Sequence, residues 1–336
     1  MSSSSSTTLA APDASEHIGR LTDTVNRGLA ALALPAEPAR LYEPVRYVLD
    51  GGGKRLRPAL LLLAAEVFDV PTERALPAAL AVEVFHNFTL VHDDIMDHAE
   101  ERRGRPSVHI LWDESTAILA GDLMMGMAYD LLAQTETDRL ADLIRVFHRM
   151  VARLCEGQAL DEQFETEGEV TVPRYLDMID RKTGALLEAV LELGGLIGGA
   201  DAEERAKLAE AGHAFGRAFQ IQDDLLDLTA DDEQWGKTIG GDLMEGKKTF
   251  LLLRALERAG GDERAWFRRI VTDGGLPEAD IAEARRRMDA LGVLDEARTE
   301  VLRHYDIGER AVRALPAGSG RDGLLWIAGR MARRVR

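Results

Sequence analysis

Residues 73–104 read ERALPAALAVEVFHNFTLVHDDIMDHAEERRG. The stretch opens on apolar residues at three- and four-residue spacing, the period of a helix and not of a strand. It then runs into three aspartates within five positions, Asp93, Asp94 and Asp97, followed by the adjacent arginines Arg102 and Arg103. Bare carboxylates that close repel one another: at ~4 Å and an effective dielectric of ~20, one pair costs roughly 4 kcal/mol. A cation beside them, or good solvation, must offset that cost.

The same helical period recurs over 114–134, 137–161, 202–230 and 278–304, while period-two runs of β-branched and aromatic residues are missing. Breaks fall at Gly51–Gly53, Pro71, Gly104–Pro106, Val170–Pro173, Gly198–Ala200 and Gly260–Gly261. The pattern predicts an all-α protein. Without an internal repeat or a low-complexity linker, 15–336 reads as one domain behind a Ser-rich tail, 1–14, expected to be disordered.

The chain has 336 residues, 46% of them hydrophobic, enough for a large core. A net charge of −17 argues against an extended nucleic-acid surface. Cys155 is the one cysteine, so an intramolecular disulfide and a cysteine-based zinc site are excluded. The N-terminus shows neither the basic nor the apolar region of a signal peptide. The longest apolar run, Ala59–Ala65, is too short to cross a bilayer. The expectation is a cytoplasmic protein without stable membrane insertion.

A second carboxylate cluster lies in QIQDDLLDL, 220–228, where Asp223, Asp224 and Asp227 repeat the DDxxD spacing. At ~100° per residue each triplet occupies one helix face. Oxygen-only ligands suit a hard cation, and Mg2+ binds through one or two carboxylates plus substrate phosphates. A single DDxxD is as easily a solvated helix face; two copies in apolar settings favour metal. Lys and Arg total 41, yet only six are lysine, and five of those six lie in glycine-punctuated stretches: GGGKRLRP (51–58), RKTG (181–184), GKTIGGD (236–242) and EGKKT (245–249). Compact ammonium charges placed so serve phosphate oxygens. A di- or triphosphate substrate follows, and the lack of a Walker loop or Rossmann fingerprint disfavours a nucleotide.

These motifs, with HDDIMD, RRG, KTG and FQIQDDLLD in this order, resemble those of the trans-isoprenyl diphosphate (polyprenyl) synthases from about residue 40 to 250. The resemblance implies an all-α homodimer whose helices surround a deep central cavity. It also implies condensation of an allylic diphosphate with isopentenyl diphosphate: diphosphate leaves, the allyl cation is attacked by the double bond, and a proton is lost. Three Mg2+ are implied, with Asp93 and Asp97 ligating two, Asp223 a third, and Asp94, Asp224 and Asp227 supporting. Arg102, Lys182, Lys237 and Lys247 are implied at the allylic diphosphate, and Lys54, Arg57, His86 and Arg103 at isopentenyl diphosphate. Thr183 and Gln220 match residues flanking the reacting carbon. By its surroundings alone, among Val82, Phe85 and Leu90, a lone histidine such as His86 is more often a hydrogen-bonded core residue.

In the family the residue five places before the first motif often sets the pocket floor. Here it is Phe88, beside Phe85 and Thr89, which implies a short product, C20 before C15. On an ideal wheel Phe88 shares a stripe with Phe85 and Val84, so ordinary core is the competing reading. Three rivals remain in view. A class I terpene cyclase has no need of the isopentenyl site; a metal phosphohydrolase built on His92–Asp93 leaves the lysine stretches unexplained; a non-catalytic partner subunit sits badly with two complete triplets.

Overall fold

The computed structural model describes residues 11–230 and 239–333, and helices account for nearly all of its regular structure. The exception is a two-residue antiparallel hairpin, β1 (Glu101–Arg102) and β2 (Arg105–Pro106), turning at Arg103–Gly104. The expected all-α class is what is observed. The described residues divide into two compact units: one comprises Met1–Phe147, Val190–Leu208 and Leu315–Trp326, the other His148–Ala189, Ala209–Ala314 and Ile327–Arg336.

In the first unit α1 (Ala11–Ala30), α2 (Ala39–Leu49) and α3 (Leu56–Glu66) lead to α4 (Thr72–Met96). After the hairpin come a single turn, α5 (Val108–Leu111), and α6 (Glu114–Ala133). Helix α4 packs mainly on α6 and α3. Ala75, Ala78, Ala79 and Ala81 of α4 and Ala117, Ala120 and Ala128 of α6 are all fully buried, and such small side chains let helices approach closely. Buried residues lie all round α4, so it is the unit's central helix. The first described helix begins at Ala11, inside the stretch expected as a tail over 1–14, the remainder of which lies outside the described residues. Ala14 is buried and Asp13 sits in the first turn, where an acidic group favours the helix dipole.

Helix α7 (Leu140–Thr166) begins in the first unit and continues into the second, which also holds α8 (Val172–Ile179). One π turn, Asp180–Gly184, joins α8 directly to α9 (Ala185–Ile197), and α10 (Ala202–Thr229) carries the second aspartate triplet. After 231–238 follow α11 (Gly241–Met244), α12 (Phe250–Arg258), α13 (Gly261–Thr272), α14 (Ile281–Ala290), α15 (Val293–Arg313) and α16 (Ser319–Ala332). The pattern read as one helix over 278–304 is two, because Gly292 takes φ +68 and ends the run with a left-handed cap.

The π turn matters because it carries Lys182 and Thr183. Its Asp180 carboxylate accepts from Arg217 Nε at 2.9 Å and also from Nη2, which ties the turn to α10. Gly157 of α7 lies directly against it: a Cβ there would stand 2.2 Å from the Lys182 backbone nitrogen. Backbone cannot give way as a side-chain tip can. Gly157→Ala is therefore expected to destabilise the protein by about 1–3 kcal/mol through overpacking, read as a lower midpoint in urea denaturation. An unchanged midpoint would show that α7 can shift without cost.

Candidate active site

The GGGK stretch is the loop between α2 and α3. Gly52 and Gly53 take φ +72 and +139, and a Cβ at Gly53 would crowd the Arg103 guanidinium at 3.3 Å. Arg103, itself at φ +55 in the hairpin turn, donates through Nη1 to the Gly52 carbonyl. Loop and hairpin thus meet because glycine leaves room for an arginine. From α3, Arg57 donates through Nη1 to Nε2 of His86 on α4 at 3.0 Å, which places the imidazole proton on Nδ1. Arg57 Nε is buried with no hydrogen-bond partner among the described residues. Lys54 lies in the same loop. The structure therefore brings Arg57, His86 and Arg103 together from three elements, as an incompletely satisfied cationic patch suited to an anion.

Burial pushes the Arg57 and Arg103 guanidiniums below their usual range; Glu83 opposes this, while Arg103 adds to the shift of Arg57, and Arg55 and Arg102 add to that of Arg103. His86 falls well below the ordinary histidine range, first through burial and then through Arg57, Arg103, Arg102 and Arg55. It is neutral while the patch holds no anion.

The first aspartate triplet divides its roles. Asp94 is buried and accepts from Arg102 Nε at 2.6 Å and Nη2 at 2.5 Å. Burial raises its carboxyl, and Arg102 pulls it back. Asp93 is half-buried and Asp97, the C-terminal cap of α4, is exposed. Of the residues implied to set product length, Phe85 is fully buried against Phe147, with ring centroids 5.2 Å apart. Thr89 is buried and donates to the His86 carbonyl at 2.8 Å. Phe88 is half-buried, between Phe85 at 5.5 Å and His92 at 4.7 Å.

The second triplet, in the other unit, divides the same way. Asp224 is buried and accepts from Tyr175 Oη at 2.5 Å, the Phe250 backbone N–H at 3.0 Å and Gln220 Nε2 at 3.3 Å. Asp223 and Asp227 are half-buried, and Asp227 Oδ2 accepts the Asp242 N–H at 3.2 Å. Burial, tempered by those donors, leaves the Asp224 carboxyl raised to about 6. Asp242 is raised to about 7 by burial and by Asp224, Asp227 and Asp223. Thr183 Oγ1 donates to Gln220 Oε1 at 3.0 Å. Lys182 pairs with Asp161 at 2.6 Å and Lys247 with Glu245 at 2.7 Å. Lys237 lies outside the described residues.

Among the described residues no three carboxylate, histidine or cysteine side chains converge as a ready cation cage. The donor set fits Mg2+: both triplets offer only oxygens, and in the second Asp242 is raised by burial and by the neighbouring aspartates.

A family model described as polyprenyl synthetase matches residues 38–288, three quarters of the chain. The chain belongs to the polyprenyl synthetase family. It is, like the family's other members, a prenyltransferase acting on isoprenyl diphosphates. The synthase is 39% identical to a geranylgeranyl diphosphate synthase of Methanosarcina mazei, over 95% of this chain and 97% of that one. It is 38% identical to a geranylfarnesyl diphosphate synthase of Natronomonas pharaonis, over 94% and 96%. A crystal structure of geranylgeranyl pyrophosphate synthetase from Pyrococcus horikoshii superposes with a TM-score of 0.88 at 36% identity, covering 95% and 99%.

Reading the sequence missed four residues of these sites. Asp242 stood in a quoted motif, GKTIGGD, yet attention went to its lysine. Glu83 and Arg55 form a buried pair at 2.5 Å, and a charge inside an apolar helical run was the available signal. Tyr175 gave no signal, since it meets Asp224 from 49 positions away.

The neutral His86 sets a pH dependence. An unfolded histidine titrates near about 6.5. Below that value the unfolded chain takes a proton that the folded chain refuses, so stability falls as pH drops. The Tm is expected to fall more steeply between about pH 7.5 and 5 in the wild type than in His86→Gln; parallel curves would contradict a neutral, buried His86.

Proposed function

We propose that this synthase condenses isopentenyl diphosphate with an allylic diphosphate, head to tail, and releases geranylgeranyl diphosphate (C20). The observation that carries the reading is the patch of Arg57, His86 and Arg103, with a buried guanidinium nitrogen still lacking an acceptor. Together with Lys54 it takes the diphosphate of isopentenyl diphosphate. Arg102, Lys182, Lys237 and Lys247 hold that of the allylic substrate. Charge builds on the leaving diphosphate as the C–O bond breaks, so cations fixed at its oxygens favour the transition state over the ground state.

Asp93 and Asp97 hold two Mg2+ and Asp223 a third. The tethered Asp94 and Asp224 orient their neighbours, and Asp227 and Asp242 complete the acidic surroundings. Bound Mg2+ supplies Lewis-acid polarisation of the leaving group. The Thr183–Gln220 pair turns polar oxygens toward the developing allyl cation. Phe88 closes the pocket floor, since it is the one member of the Phe85, Phe88, Thr89 group that is not buried. The name of the Methanosarcina relative supports C20; that of the Natronomonas relative makes a C25 product the second reading.

Residues 15–336 serve as one catalytic domain, working in the cytoplasm as a homodimer. Support for the dimer comes from the exposed large apolar side chains of the first unit. Ile110, Leu111, Ile118, Leu119 and Ile144 leave an apolar surface that a second copy would cover. Among the described residues one helix, α6, is long and apolar enough to cross a membrane; it packs along α4, and 44% of its apolar window is buried.

Two outcomes test this. Asp93→Ala and Asp223→Ala are each expected to cut incorporation of labelled isopentenyl diphosphate by about 100-fold or more with unchanged circular dichroism; full turnover in either would remove the metal assignment. Phe88→Ala is expected to shift the product beyond C20 by mass spectrometry, whereas an unchanged product would return Phe88 to ordinary packing.

A further inference from the structure

Glu83 stands in the middle of α4 and is 2% exposed. Its Oε1 accepts from Arg55 Nη1 at 2.5 Å and Asn87 Nδ2 at 3.3 Å. Arg55 is buried as well, and its other nitrogens are engaged: Nε donates to Asn26 Oδ1 of α1 at 2.9 Å and Nη2 to the Leu49 carbonyl of α2 at 3.1 Å. One guanidinium therefore joins α1, α2 and α4. Arg55 is also the N-cap of α3 and adopts φ +47, a left-handed conformation that a non-glycine residue takes only when its surroundings impose it.

What surrounds Arg55 in the chain gives this pair its consequence. Lys54 precedes it, and Arg57 follows two positions later in the first turn of α3. The left-handed turn at Arg55 sets the directions in which both cations leave the loop, and the ion pair with Glu83 fixes that turn. The same carboxylate also lies near enough to influence Arg57 and Arg103. A single buried anion thus serves as counter-charge to Arg55, Arg57 and Arg103.

We propose that Glu83 is the positioning residue of the isopentenyl diphosphate site. Through Arg55 it holds the turn that aims Lys54 and Arg57, and its charge keeps mutually repelling arginines together until an anion arrives. It touches no substrate. The proposal rests on the reading that this patch takes isopentenyl diphosphate, and it adds which residue holds the patch's cations in place.

A purely structural ion pair makes a different prediction. Losing it would lower the Tm and the active fraction but leave the KM values of the surviving molecules alone. Steady-state kinetics on the full chain, with each substrate varied in turn, separates the two. The variants are Glu83→Gln and the neutral pair Arg55→Gln/Glu83→Gln, which avoids stranding a buried charge. Both are expected to raise KM for isopentenyl diphosphate by about ten-fold or more, with less than about three-fold change in kcat or in KM for the allylic diphosphate.

Asn26→Ala removes only the exposed partner of Arg55 Nε and keeps the ion pair; it is expected to raise the same KM by about three-fold. It decides the matter by the same criterion should the Glu83 variants not fold. Unchanged KM for isopentenyl diphosphate in a folded variant overturns the proposal, and so does an equal loss for both substrates. Wild-type protein assayed alongside distinguishes the remaining case: if it condenses nothing, the functional reading fails and the positioning role falls with it.

Discussion

Helix α4 must be buried on nearly all sides and still carry Glu83, His86, Asp93 and Asp94. Its alanines seat it against α6 and α3, and that close packing removes water from the charged positions between them. Breaking one side of a buried ion pair typically costs about 3–5 kcal/mol, so every buried charge on α4 has to meet a partner. Glu83 meets Arg55, Asp94 meets Arg102, and His86 avoids the problem by staying neutral and accepting from Arg57. The loop and the hairpin are where they are because they bring those partners. Seen this way, the cationic patch is the far side of the same compensation: arginines drawn in by buried carboxylates are left facing one another, short of acceptors.

The two aspartate triplets solve one geometrical problem alike. Residues i and i+4 share a helix face, while i+1 is turned by ~100°. Asp93 and Asp97 thus stay on the accessible side of α4, and Asp94 turns inward to Arg102. On α10, Asp223 and Asp227 stay half-buried while Asp224 turns to Tyr175 and the Phe250 N–H. The inner aspartate in each case is tied to its neighbours, Asp94 to Arg102 and Asp224 to Tyr175 and the Phe250 N–H. A DDxxD motif in a buried helix therefore places its aspartates in two different environments, not three equivalent ones.

Much of this was legible in the residues before any coordinates. The helical period located most long elements to within a few positions, because apolar faces at that spacing have few other ways to be buried. Where the period ran on across Gly292 it misled, since a single left-handed cap outweighs a continuous apolar stripe. The π turn at 180–184 could not be read, because it depends on Asp180 meeting Arg217 from another helix. The motif residues were legible as a group, and their division into tethered and available members was not. Partners such as Tyr175 for Asp224, or Asp161 for Lys182, come from distant segments that leave no local mark.

The central claim is that a buried cationic patch and two oxygen-rich helix faces serve one carbon–carbon bond-forming reaction. The most direct measurement is product identity by mass spectrometry after incubating the purified protein with isopentenyl diphosphate and Mg2+, supplying C5, C10 and C15 allylic diphosphates in turn. Linear prenyl diphosphates ending at C20 from each starter are the predicted result. Cyclised hydrocarbon, or diphosphate released with no new carbon–carbon bond, would contradict the account.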